Sequence, residues 1–125
     1  MAEEPMTDAK QAMPSGQLSA VVTADEGTRV VTVAGEIDYD TGNTLREALD
    51  ISGMHHPRVV VDMHQATFID SSGINILIAA HHTISKAGGW LRLAAPTTTV
   101  MRTLSLVGVD AFIDCRETLT QALGD

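Results

Sequence analysis

Between Arg58 and Met63 the chain reads RVVVDM, a nearly continuous apolar run that suits a strand covered on at least one face. The run leads through HQATFI to DSSG, and the following INILIAAHHTISKA sets Ile74, Leu77, Ile78 and His81 at helical spacing. Gly88 supplies a natural C-terminal stop for that helix. A covered strand that feeds directly into an apolar helix calls for a sheet with helices against it, and the flanking segments supply both. Upstream, LSAVVTA and RVVTVAGEI are β-branched-rich runs joined by the turn-forming DEGT, which predicts a hairpin. DTGNTLREALDIS then places Leu45, Ala48 and Leu49 on one helical face, behind Asp40 or Thr41 as N-cap. Downstream, WLRLAA predicts a short strand, and Pro96 opens the helical TTTVMRTLSLV, which ends at Gly108. AFIDC predicts a last strand, and RETLTQALG a last helix held by Leu119, Ala122 and Leu123. The order β-β-α-β-α-β-α-β-α defines an α/β fold, a mixed β-sheet flanked by helices with right-handed crossovers.

Residues 1–17 differ in character. They hold Pro5, Pro14, Gly16, three acids and one lysine without any periodicity that would bury a face, and are predicted to be a disordered tail. Residues 18–125 form the predicted domain, and a chain of 125 residues fits one such unit. Eight basic against 16 acidic side chains give a net charge of −8, which argues against a surface that tracks nucleic-acid phosphates. A single cysteine, Cys115, leaves no intrachain disulfide to form. The acidic N-terminus is no signal peptide and no apolar run approaches a membrane span, so a cytoplasmic protein without membrane contact is expected.

The residues richest in chemistry lie at the strand-to-helix junction. Ser71 and Ser72 fall where a helix presents unpaired N–H groups, so one of them, or Asp70, is expected to cap the helix. The same N-terminus tolerates an added phosphate, because its dipole and free N–H groups favour negative charge. Hydrolase chemistry does not fit: I-D-S-S-G is not G-x-S-x-G, and His81 lies about three turns, roughly 15 Å, along the same helix. A metal site is not expected either. His81 and His82 point about 100° apart, His55 and His56 precede Pro57 in a loop, His64 stands alone, and Cys115 has no C-x-x-C partner. No phosphate-cradling glycine motif occurs, and no cofactor is expected. The acidic turn GEIDYD reads as a solvated turn with Asp40 capping the next helix, or as a partner contact.

GEID, a T-x-x-T-L-R-E-A-L helix, VVVDM, and TFIDSSG followed by an apolar helix together resemble the STAS domain of bacterial anti-sigma factor antagonists, over about residues 18 to 123. That resemblance implies a STAS-like fold and a regulatory binding module rather than an enzyme. It implies that Ser71, the first serine of D-S-[ST]-G, is phosphorylated by a partner that is both a serine kinase and an anti-sigma factor, and that a serine phosphatase reverses this. The unphosphorylated protein would then bind the kinase and release the sigma factor. The resemblance further implies that Asp38 lies near the acceptor and helps form the partner surface, with Asp70, Ser72 and Gly73 around it. Asn75 stands where the family often has a second glycine, and a side chain there narrows partner choice or adds a hydrogen bond. An alternative carried by the same resemblance is a stand-alone STAS subunit of a transport or sensory assembly, in which Ser71 is only a cap.

The helix after DSSG is apolar almost all round. Asn75, Ile76 and Ala79 lie off its main stripe; this second stripe is either buried beneath a neighbouring helix or strand or stays exposed as interaction surface beside the serine. On the exposed reading Ile76→Asp weakens partner binding more than folding.

Overall fold

In the computed structural model, residues 17–124 are described; the expected tail, apart from Gln17, lies outside them. The predicted hairpin is β1 (Leu18–Asp25) and β2 (Thr28–Ile37), paired antiparallel from Leu18↔Gly35 to Asp25↔Thr28. Its turn is Glu26-Gly27, both with positive φ (50° and 86°), the two-residue geometry whose twist matches that of the flanking strands. α1 (Gly42–Ala48) crosses to β3 (Arg58–Ile69), α2 (Ser71–Lys86) to β4 (Trp90–Ala94), and α3 (Thr98–Leu106) to β5 (Asp114–Arg116) before α4 (Leu119–Leu123) ends the described chain. The sheet order is β1-β2-β3-β4-β5, with every pair after the hairpin parallel. Each crossover therefore steps to the next strand in the same direction, and right-handed connections place α1, α2 and α3 on one face. The main core lies there: Val31, Val33, Val59, Val61 and Leu93 from the strands meet Leu45, Leu77, Ile84, Val100 and Leu104 from the helices, all fully buried.

β3 explains its own sequence. Val59 and Val61 face that core while Val60 faces the opposite side, where Ala94 and Ala122 join it beneath α4. A strand covered on both faces has no polar side to alternate with, hence RVVV. Arg92 fixes α4 by donating to the Ala122 carbonyl at 2.9 Å while its guanidinium stacks 3.8 Å from the centroid of the Trp90 ring.

Three expectations change. The last strand is not AFIDC but Asp114–Arg116, because Val109–Ala111 forms a 3-10 turn after Gly108, whose φ of +82° suits glycine. Neither Asp40 nor Thr41 caps α1 through its side chain; Thr41 occupies the N-cap position, but its hydroxyl is engaged elsewhere. The second stripe of α2 is also not uniformly exposed: Asn75 and Ala79 are, but Ile76 is only 7% exposed. α1 closes over it, with Gly42 so near that a Cβ there would lie 2.8 Å from Ile76 Cδ1. The order of effects expected for Ile76→Asp therefore reverses. A buried, unpaired carboxylate costs about 3 kcal/mol or more, so the variant should show a thermal midpoint lowered by 10 °C or more, by roughly 4–8 °C per kcal/mol.

Candidate functional site

β2 and β3 end side by side, Ile37 opposite Ile69, at the carboxyl edge where open α/β sheets place their sites. The Asp70 N–H donates to the Ile37 carbonyl at 3.1 Å, tying the turn after β2 to the junction after β3. Two motifs far apart in sequence thus form one surface.

Asp70 is extended and takes the N-cap position of α2, its Oδ1 accepting from the N–H groups of Ser72 at 2.9 Å and Gly73 at 3.3 Å. A carboxylate there also meets the positive end of the helix dipole. Asp70 rather than either serine therefore caps the helix. Ser71 is exposed at the first helical position, and among the described residues nothing bonds its hydroxyl. Two of the N–H groups expected to receive a phosphate are thus already held by Asp70. Asp70→Ala should remove about 1 kcal/mol of stability, read as a lower urea midpoint, while Ser71→Ala should leave that midpoint unchanged.

Ser72 is half-buried, and Gly73 is buried for a steric reason. A Cβ on Gly73 would stand 2.6 Å from Ile37 Cγ2 and 2.8 Å from Ile69 Cγ1, so glycine alone lets α2 seat against both strand ends. Gly73 shapes the site from beneath and offers no surface.

Asp38 is half-buried and works locally: its Oδ1 accepts from the N–H groups of Asp40 at 3.0 Å and Thr41 at 3.1 Å. The Thr41 hydroxyl accepts from the Asp38 N–H at 2.9 Å and donates to the Glu36 carbonyl at 2.8 Å. This side-chain-bonded turn holds the neighbouring Tyr39 out, 83% exposed. Tyr39 and Phe68 (42% exposed) were not singled out from sequence, although a signal existed: the chain has four aromatic residues, and these two border the GEID and DSSG motifs. From this end a groove of about 1280 Å³ runs between α1 and α2, bordered by Tyr39, Gly42, Arg46, Ser72, Asn75 and Ile76. The structure thus brings Asp38, Asp70, Ser71, Ser72 and Asn75 to one end, with Ile76 as groove floor.

The other candidate groups are dispersed. His64 Nδ1 lies 2.9 Å from Asp62 Oδ1, and His81 packs 5.5 Å from Phe112, ring centre to ring centre. Among the described residues no three His, Cys, Asp or Glu side chains are grouped to hold a metal ion. Burial, followed by the charges of Asp110 and Asp114, pushes the Cys115 thiol up to about 11. It stays protonated at neutral pH, so Cys115 should alkylate with iodoacetamide far more slowly in the folded protein at pH 8 than in urea. Equal rates in a peptide-mass assay would contradict that burial.

The STAS domain model matches residues 19–122, and the chain belongs to the STAS domain family. The anti-sigma-F factor antagonist RsfB of Mycobacterium tuberculosis is 28% identical over 107 residues, 85% of this chain and 87% of that one. The crystal structure of an anti-sigma factor antagonist from Mycobacterium paratuberculosis superposes with a TM-score of 0.77 at 29% identity, covering 86% of this chain and 92% of that one. A sulfate transporter family protein from Wolinella succinogenes shares the fold, with a TM-score of 0.67 at 15% identity over 81% of this chain and 85% of its own. The named relatives are thus anti-sigma factor antagonists, while the fold itself also serves transport proteins. No helix among the described residues is long and apolar enough to cross a membrane.

Proposed function

We propose that this chain is a cytoplasmic anti-sigma factor antagonist, a binding module without catalysis of its own. Its unphosphorylated form binds an anti-sigma factor that is also a serine kinase, and the sigma factor is released. Phosphorylation at Ser71 ends that binding, and a serine phosphatase restores it. The observation that carries this reading is the Ser71 hydroxyl: with Asp70 capping α2, the serine is exposed, and among the described residues nothing bonds its hydroxyl. The names of the relatives supply the class of partner. Asp38, Asp70, Ser72 and Asn75 surround the acceptor and form the contact surface with Tyr39, a large aromatic side chain of the kind that anchors interfaces.

The test is intact-protein mass spectrometry after incubation with ATP and candidate serine kinases of the anti-sigma class. A single phosphate on the natural chain and none on Ser71→Ala is the expected result. Modification elsewhere, or capture of a transport ATPase in place of a kinase, would overturn the assignment.

A further inference from the structure

The sheet has two edges of different character. β5 is three residues long and carries Asp114 and Arg116, whose side chains bond each other at 2.7 Å, so short length and charge blunt that edge. β1 runs for eight residues, LSAVVTAD, with no lysine, no proline, and no shift of register against β2 that would mark a bulge. Its one charge, Asp25, sits at the end, while Val21 and Val22 are 57% and 47% exposed on opposite faces of the strand. The hydrogen bond from the Glu36 N–H to the Gln17 carbonyl fixes the phase of the ladder. Residues 17, 19, 21, 23 and 25 aim their backbone groups at β2, and Leu18, Ala20, Val22 and Ala24 aim theirs outward.

We propose that β1 is a self-association edge, along which a second copy of this chain pairs antiparallel and continues the sheet. The strand is complementary to itself. With the two-fold axis at Val22, Val22 meets its own copy, Ala20 meets Ala24 and Val21 meets Thr23, so the outward N–H and C=O groups of Ala20, Val22 and Ala24 are all satisfied. The charge pattern permits this in a chain of net charge −8. In that register Asp25 falls opposite Ser19 and Glu26 opposite Leu18, so no acid on the strand faces an acid. In the sheet, β2 lies between β1 and β3, the strand that leads into Ser71.

Sedimentation of the full chain from low to high micromolar concentration tests this, together with hydrogen exchange at both ends of that range. A monomer–dimer equilibrium is expected, with the Ala20, Val22 and Ala24 amides protected only at high concentration. Val22→Pro removes an N–H that faces outward, so the β1–β2 ladder survives while the dimer loses a symmetric pair of bonds. Val22→Lys sets two like charges across the axis. Each should raise the dimer dissociation constant roughly tenfold or more, equivalent to about 1.4 kcal/mol, with the monomer still showing the native circular dichroism spectrum. A dimer indifferent to both substitutions would overturn the proposal. So would a monomer at every concentration, whether those amides exchange freely or are protected by another part of the same chain.

Discussion

Gly73→Val is expected to unfold the domain or come close to it. The first carbon of any side chain at this position would stand within 3.0 Å of both Ile37 and Ile69, and those atoms belong to β-branched residues at the ends of β2 and β3, which have little room to turn. The Ile37 carbonyl lies 3.1 Å away and is already bonded to the Asp70 N–H. To admit a valine, α2 must lift from the strand ends, breaking that bond and opening the core around Ile74 and Leu77. Overpacking alone costs about 1–3 kcal/mol, and the lost contacts add to it, so about 3 kcal/mol or more is expected against a typical total of 5–15 kcal/mol. Gly73→Ala should be milder, because alanine recovers up to about 1 kcal/mol of helix propensity. Urea melts of the three proteins should rank glycine, alanine, valine in falling midpoint; a Gly73→Val protein with the parent midpoint would show that α2 seats differently.

The second large effect concerns binding. A phosphate on Ser71 adds about −1.5 to −2 charges at neutral pH, beside Asp70 and across the Ile37–Asp70 bond from the GEID turn. The N–H groups of Ser72 and Gly73 are committed to the Asp70 carboxylate, so the phosphate meets the helix dipole but few free donors. Because Ser71 is exposed, the phosphate stays in water and the free protein keeps its fold. The cost falls on the complex. Desolvating the group against a surface matched to a neutral hydroxyl, with like charges alongside, amounts to several kcal/mol across interfaces, and about 1.4 kcal/mol is tenfold. A loss of affinity on the order of 100-fold or more follows. Ser71→Glu should reproduce much of that loss, whereas Ser71→Ala should bind as the natural chain does and accept no phosphate.

Much of this architecture is legible in the sequence because it depends on local patterns. DEGT between two β-branched runs specifies the hairpin, the valine run specifies a strand covered on at least one face, and Gly88 and Gly108 mark helix ends where the backbone turns left-handed. What was not legible depends on tertiary contact. Ile76 is buried because α1 lies over it, which no periodicity within α2 announces. Gly73 reads as a flexible residue in a motif, and only the proximity of Ile37, from a strand 36 positions earlier, shows that it is a packing requirement. At the site, the sequence narrowed the helix cap to three adjacent residues without separating them. Aspartate takes the role since its carboxylate reaches two N–H groups and meets the dipole with a full charge. Asp38 reads in the sequence as part of a solvated turn or a partner contact, and only the folded chain shows that its carboxylate also builds the turn that presents Tyr39.

The central claim is that Ser71 is a switch and not a cap. It is tested most directly by calorimetry of one anti-sigma factor kinase, with ADP present, against this protein before and after stoichiometric phosphorylation. The account predicts that the two forms show the same fold by circular dichroism and that the phosphorylated form binds at least about 100-fold more weakly. Equal affinities, with the phosphate located on Ser71, would contradict it.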